Sequence, residues 1–554
     1  MLELRLRLEG DGWTRLENLW VRGRPFYGRK ALHPRELTVL LKRALIPGGD
    51  GDPEGVVDPV LLVALVRELR GFFAVIWKTG KEIVAFVDFV ASFPLFYSVD
   101  DAAVVLTDRL YPVDGDASRL NILEYALTGY VTGDETIISK FRRIQAGEIL
   151  LCGKNSREVR TVDYALFNPM NPPEMRGLHE VAELVEILDC RLRRAVERLI
   201  DYLDGRPAVI PLSGGWDSRT VIIHLKKMGY PRILSFSYGR QGNQEAEISQ
   251  VVARQLDVPW VFVEYSNPKW SAFALKEVYR RYLLFAHNSV SVPHIQDLLA
   301  VYELASNGSL PRDAVIIPGH SGDFVAGSHM IVRYGHRRHI DGYIDGIMEK
   351  HYTLLGVEVL AEYFPRMFAR EDLGEGIGGI RAKLANQIRN VVRKGQFAHP
   401  LALFDLWNWR ERQSKFIVNS VRVYEFFGRD FWLPLWDLDF VSFWEVIPCE
   451  LRLRRKLFGV YLENLQKSIG LSVPVAPTRQ WLASRVSGIV PDTLKHRIAR
   501  QVRRIGFARD YERHPMQWYG VWDASRFQRL ARLAKGSENV NSLVVLDTIG
   551  EFYA

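Results

Sequence analysis

In 554 residues the sequence holds only three cysteines, Cys152, Cys190 and Cys449. They are too few and too scattered for a disulfide framework or a closely spaced zinc site, so a reducing compartment is expected. Nor is there a run of about 20 uninterrupted apolar residues of the kind a membrane span needs. The most apolar stretch, residues 56–77, is broken by Asp58, Arg67, Glu68 and Arg70. The opening residues, MLELRLRLEGDG, are charged within the first ten positions and lack the apolar core and cleavage site of a signal peptide. Export is therefore not expected, and a cytoplasmic location is. Low-complexity segments and internal repeats are missing as well, which excludes solenoid and linker architectures.

What is present fits a folded soluble protein: 47% of residues are hydrophobic and 25% charged, which excludes global disorder and a long coiled coil. The length implies roughly two to four domains. Lys and Arg number 73 against 65 Asp and Glu, a net charge of +8 that favours acidic partners such as phosphates. That balance alone does not imply nucleic acid, and no nucleic-acid partner is expected.

Residues 1–165 carry short β-like runs, among them 72–77 and 83–87, parted by Gly, Asp and Lys turn signals, which predicts antiparallel sheet. The Pro- and Asn-rich segment 168–173 can continue neither helix nor strand, and a helical pattern over 179–203 follows it. A domain boundary is placed there, dividing the chain into 1–165 and 175–554. Beyond it, apolar runs at 208–212, 232–238, 260–264 and 314–318 alternate with amphipathic stretches at 217–229, 243–257 and 296–307. Strand alternating with helix predicts an α/β fold around a parallel sheet with right-handed crossovers. After about residue 340 the pattern is mostly helical, which predicts a helical lobe over that sheet.

The richest segment is Pro207-Ala-Val-Ile-Pro-Leu-Ser-Gly-Gly-Trp-Asp-Ser218. An apolar strand runs into Ser213-Gly214-Gly215 and a helix begins at Asp217 or Ser218. Glycines let backbone approach closely, and the first N–H groups of the helix converge on one point, which makes an anion site. Asp217 beside a bare phosphate would repel it, but a Mg²⁺ ion bridging the two makes the pairing favourable. A plain glycine turn capped by aspartate would read the same locally.

Ser-Gly-Gly-Trp-Asp-Ser resembles the pyrophosphate loop of the ATP pyrophosphatases, the PP-loop superfamily. Ser235-Phe-Ser-Tyr-Gly239, followed by Glu245-Ala246-Glu247, is similar to the second strand and helix of that superfamily's asparagine synthetase branch. The resemblance implies ATP as substrate, adenine contacts at Leu212 and Tyr238, and phosphate contacts at Ser213, Gly214, Gly215 and Ser218. In Val315-Ile-Ile-Pro-Gly-His-Ser-Gly-Asp323 it implies that Gly319 lies against the nucleotide and that Asp323 joins Asp217 on Mg²⁺. His320 stands where asparagine synthetases carry a catalytic Glu and β-lactam synthetases a Tyr. It is open to two readings, a general base for the attacking amine or an imidazole held by backbone. The same turn is similar to that of lasso peptide cyclases. Near the end, residues 432–448 resemble the family's Pro-Phe-Leu-Asp-like turn, and the register that follows makes Lys456 the lysine over the departing pyrophosphate, with Arg454 and Arg455 close enough to take that role.

Leu69–Trp77, Asp88–Tyr97 and Arg143-Ile-Gln-Ala-Gly147 resemble the framework of the family's class II glutaminase domain, implying an αββα sandwich. Working glutaminases use an amino-terminal cysteine, whereas this sequence begins Met1-Leu2 and lacks the family's Arg-Gly-Pro-Asp and Asn-Gly-Glu pocket motifs. The expectation is a glutaminase-dead ligase that adenylates a carboxylate, releases pyrophosphate and couples the acyl group to an amine. The carboxylate is a small molecule, a sugar acid or a peptide. Glutamine-dependent asparagine synthesis and a nucleotide-binding pseudo-synthetase are the alternatives. Finally, Arg485, Lys495, Arg497, Arg500, Arg503, Arg504 and Arg509 gather between residues 485 and 509, either as a solvated face or as a surface for an acidic partner.

Overall fold

The computed structural model describes residues 3–46, 56–100, 103–154, 158–169, 180–330, 340–393, 400–473, 507, 509–533 and 538–554. Strand Leu69–Lys78 is apolar at nearly every position because both of its faces are covered. Phe73, Val75 and Trp77 pack on helices Pro34–Lys42 and Pro59–Arg67, while Phe72, Ala74 and Ile76 turn into the main core. This strand is central to an antiparallel sheet running Val159–Asp163, Glu148–Gly153, Glu82–Val87, Leu69–Lys78, Leu19–Tyr27 and Trp13–Leu16. A second sheet holds Glu3–Arg7, Ala103–Thr107, Phe96–Val99 and Arg142–Arg143. In it, Glu3–Arg7 runs parallel to Ala103–Thr107, a departure from the purely antiparallel expectation. With almost a hundred residues between those two strands, no hairpin turn dictates their direction.

The α/β part is built as the alternation predicts. We label its elements β1 (Ala208–Pro211), α1 (Trp216–Lys227), β2 (Ile233–Gly239), α2 (Gln244–Gln255), β3 (Trp260–Glu264), α3 (Leu298–Ser306), β4 (Val315–Ile316) and β5 (Asp430–Phe431). All five strands are parallel, in the spatial order β3-β2-β1-β4-β5. The order reverses between β1 and β4, and ligands of open α/β sheets bind at such a switch point, beyond the carboxyl ends of the strands. Helices Ile340–His351, Leu373–Arg393, Pro400–Asn408, Lys456–Lys467 and Val540–Phe552 make the stretch after residue 340 mostly helical, but not as one lobe over the sheet: Leu373–Arg393 and Val540–Phe552 pack on helix Arg119–Thr128, and Lys456–Lys467 packs on helix Val181–Leu203 and α1. Between them, Trp409–Ile417 is wound as a π-helix, a form that recurs at functional sites. Among the described residues no helix is long and apolar enough to cross a membrane.

Candidate active site

The loops after β1 and β4 meet at the switch point. Pairing of β1 continues one step past the strand, the Leu212 N–H donating to the Phe236 carbonyl at 2.8 Å, before the chain turns through Ser213-Gly214-Gly215 into α1. Hydroxyls brace the turn: the Ser213 N–H donates to Ser218 Oγ and the Gly215 N–H to Ser213 Oγ, both at 3.2 Å. Gly319, after β4, presses on the start of α1 so closely that a Cβ there would lie 2.3 Å from the Ser218 nitrogen. A side chain at 319 would force the two loops apart.

That approach sets two carboxylates together. Asp217 Oδ2 accepts the Asp323 N–H at 2.8 Å, while Asp217 Oδ1 is buried without a hydrogen-bond partner. Asp323 Oδ2 accepts from the Ser328 hydroxyl at 3.0 Å and from His329 Nε2 at 3.2 Å. Burial, and then the charge of Asp323, push the Asp217 carboxyl up to about 7. Burial also raises Asp323, but the bonds from His329 and Ser328 and the charge of Arg455 outweigh it and hold Asp323 well below the usual carboxylate range. One proton thus does what a cation would do, since two close carboxylates cannot both ionise unaided. The orphaned Asp217 oxygen and the all-oxygen donor pair fit Mg²⁺. No third His, Cys, Asp or Glu joins them into a metal-binding group among the described residues, so its remaining ligands would be phosphate oxygens and water.

Beside Asp217 opens a cavity of about 460 Å³, whose lining does not include Asp323. Its lining contains Ser213, Gly214, Gly215, Asp217 and Ser218 from the first loop, Gly319 and His320 from the second, and Tyr238 from the end of β2. Tyr238 stacks on Tyr265, ring centroids 5.1 Å apart. Leu212 is not in the lining; it is buried in the core, and Pro211 takes its place. Side chains alternate along an extended chain, so 211 and 213 share the side opposite the Leu212 side chain.

Lys456 is not in the lining either. It is exposed at the start of helix Lys456–Lys467, whereas Arg455 lines the cavity. The cause is the backbone: Arg454 and Arg455 both take left-handed conformations, φ 55° and 59°, ahead of the helix. The turn swings the Arg455 guanidinium over the Trp216 ring, 4.1 Å from its centroid, and to 3.7 Å from Asp217 Oδ1.

His320 is half-buried, its ring nitrogens 3.3 and 3.4 Å from Ser420 Oγ. That hydroxyl gives its own proton to the Ile417 carbonyl at 2.6 Å, so it accepts from the imidazole. Burial, and then His294 close by, bring the His320 imidazole down to about 3. The ring is therefore neutral near pH 7. Sequence reasoning missed His294, Gln296, Asp297 and Tyr424, which line the far side. Asp297 Oδ2 accepts from the Tyr424 hydroxyl at 2.8 Å and its Oδ1 lies 3.7 Å from His294 Nε2. The one sequence signal was a string of polar residues interleaved with Val290, Val292 and Ile295 just before α3. Of the basic segment 485–509, all but residues 507 and 509 lie outside the described residues; Arg509 is exposed.

Residues 207–278, from β1 to just past β3, match the family described as queuosine biosynthesis protein QueC. The 7-cyano-7-deazaguanine synthase of Polynucleobacter asymbioticus is 41% identical over 68 residues, 12% of this chain and 28% of that protein. The enzyme of the same name from Geobacter sp. (strain M21) is 42% identical over 72 residues, 13% of this chain and 32% of that protein. The chain thus matches under a third of the length of these relatives. Among solved structures, an NH3-dependent NAD synthetase from Campylobacter jejuni aligns over 44% of this chain and 96% of its own at 15% identity, with a TM-score of 0.20. The glutamine phosphoribosylpyrophosphate amidotransferase of B. subtilis aligns over 45% and 72% at 10% identity, with a TM-score of 0.19.

Proposed function

We propose that the chain is an ATP-dependent ligase that activates a carboxylate as its acyl adenylate and passes the acyl group to an amine, with no glutaminase activity of its own. The observation that carries this reading is Asp217, in the first turn of the helix that follows Ser-Gly-Gly, held to Asp323 of the facing loop at the switch point of a parallel sheet. The match of 207–278 to a PP-loop family supports the ATP half.

The roles follow from position. Ser213, Gly214, Gly215 and Ser218 offer N–H and hydroxyl donors to the β- and γ-phosphates, and Tyr238 lies where the adenine would rest. Asp217 and Asp323 would hold Mg²⁺, which when bound neutralises phosphate charge. A carboxylate oxygen attacks the α-phosphorus, the bond from that phosphorus to the bridging oxygen breaks, and pyrophosphate leaves, its charge met by Arg455. The amine nitrogen then attacks the acyl carbon, the bond from that carbon to the AMP phosphate oxygen breaks, and the proton released leaves with the AMP phosphate or to water, while His320, kept neutral by burial, lines the cavity as a hydrogen-bonding group rather than a base. Cys152 does not supply a glutaminase nucleophile: it is buried in strand Glu148–Gly153, and burial pushes its thiol up to about 11.

The test is pyrophosphate–ATP exchange with Mg²⁺ across a panel of amino acids, sugar acids and peptides. At least one carboxylate is expected to support exchange, lost in Asp217→Asn and in Asp323→Asn. Exchange that persists undiminished in both variants would remove the two-carboxylate site, and silence across the panel alongside tight Mg·ATP binding would favour a nucleotide-binding protein without chemistry.

A further inference from the structure

A second, much smaller cavity of about 10 Å³ lies where residues 91–96 and Arg143 of the N-terminal sheets meet residues 287–291 and 414–422. It has room for one water-sized atom. Three buried cations line it, Arg143, Lys415 and Arg422, and no carboxylate does. Lys415 and Arg422 are balanced from outside the cavity by ion pairs to Glu411, at 2.5 Å, and to Glu425. Arg143 makes no ion pair among the described residues, although the charges of Glu411 and Asp88 act on it from outside the cavity: its Nη2 donates to the Ser414 carbonyl and hydroxyl, at 3.3 and 3.5 Å. Burial brings this guanidinium down to about 10.

Unmet hydrogen-bonding groups gather in the same lining. Arg143 Nε, His287 Nε2 and Ser291 Oγ are all buried without a partner, on residues only 4%, 1% and 2% exposed. His287 Nδ1 accepts the Ser289 N–H at 2.9 Å, which leaves the ring proton on Nε2 and makes that orphan a donor. Arg143 Nε–H can only donate, and the Ser291 hydroxyl can. Asn288 and Ser289 hold left-handed backbone, φ 47° and 50°, and this strained elbow is what brings His287 and Ser291 to one cavity. A water molecule would satisfy two donors but must itself find acceptors, whereas an anion takes donors alone and balances Arg143 as well.

We propose that this cavity is a buried site for a monovalent anion of chloride size, held by Arg143, His287 and Ser291. It fastens the N-terminal sheets to the 414–422 stretch, which on its other side presents Ser420 to His320. An anion bound only by the folded protein adds stability by mass action.

The test uses the full chain and measures its melting temperature in sodium chloride and in sodium gluconate at matched ionic strength, since gluconate is too large for a one-atom cavity. Chloride at 0.15 M is expected to raise the midpoint by about 1–3 °C over gluconate, with bromide close behind. Ser291→Ala is a small change expected to fold normally, and it should keep the gluconate midpoint while losing most of the chloride increment. Arg143→Lys should reduce the increment too. Equal midpoints in the two salts would overturn the proposal and leave the cavity to water. A chloride increment untouched by Ser291→Ala and Arg143→Lys would place the anion elsewhere and overturn it equally.

Discussion

Asp297 is a carboxylate only 4% exposed, with one oxygen on the Tyr424 hydroxyl and the other without a hydrogen bond. Burial pushes its carboxyl up to about 6, against the opposing pull of that hydroxyl. In the unfolded chain the same group titrates near 3.9. The folded state therefore holds this proton more tightly, and the stability it contributes is full below about 3.9 and lost as pH rises through about 6. Between pH 5 and pH 8 the wild type is expected to lose about 1 kcal/mol relative to Asp297→Asn, which carries no titrating group at that position. Urea denaturation of both proteins at the two pH values measures this. A gap between them that stays constant with pH would mean the carboxyl is ionised throughout.

At the scale of elements, the start of helix Lys456–Lys467 decides which cation reaches the phosphates. Two successive left-handed residues cost backbone energy, of order 1–3 kcal/mol each, and such strain persists where the surroundings fix it. Here stacking on Trp216 and the approach to Asp217 do the fixing. Arg455→Ala is expected to weaken Mg·ATP binding at least about tenfold, the loss of one charge-assisted contact. Lys456→Ala should change it less than about twofold. Calorimetric titration of each variant reads the order directly, and a reversed order would restore the lysine to the site. The contrast shows what a sequence makes legible. The loop after β1 packs its chemistry into six consecutive residues between a strand and a helix, and the alternation of apolar runs placed four of the five strands of the sheet. Arg455 over Lys456 depends on two φ angles, and Pro211 over Leu212 on strand phase; neither leaves a mark in residue type. His294, Asp297 and Tyr424 come from irregular or distant segments, and only the fold brings them together. β5, two residues long, has no pattern to detect.

At the scale of the whole molecule, the N-terminal sheets are built into the core that supports the site. One continuous apolar cluster runs from Phe26 and Phe72 through the parallel sheet to Ile549. Trp432, next to β5, is ringed by Phe26, Phe72 and Tyr202 at 5.9, 4.8 and 4.4 Å. Polar ties follow the same seam: the Trp409 indole N–H donates to the Phe89 carbonyl at 3.1 Å, Arg410 to Asp163 at 2.5 Å, and Arg22 to Glu425 at 2.6 Å. Removing one partner of a buried ion pair typically costs about 3–5 kcal/mol, because the other charge is left unpaired, and a truncation would remove several partners at once along with the apolar cover. Residues 175–554 expressed alone are therefore expected to aggregate, and the full chain to unfold in one calorimetric transition with no separate melting of residues 1–165. A soluble 175–554 fragment that still bound Mg·ATP, or two resolved transitions in the full chain, would mean that the seam is a docking surface between independent domains. The single transition is the outcome the contacts require, because Arg22, Phe89 and Asp163 have their partners on the very segment, residues 409–432, that also carries Ser420 behind His320 and Tyr424 against Asp297.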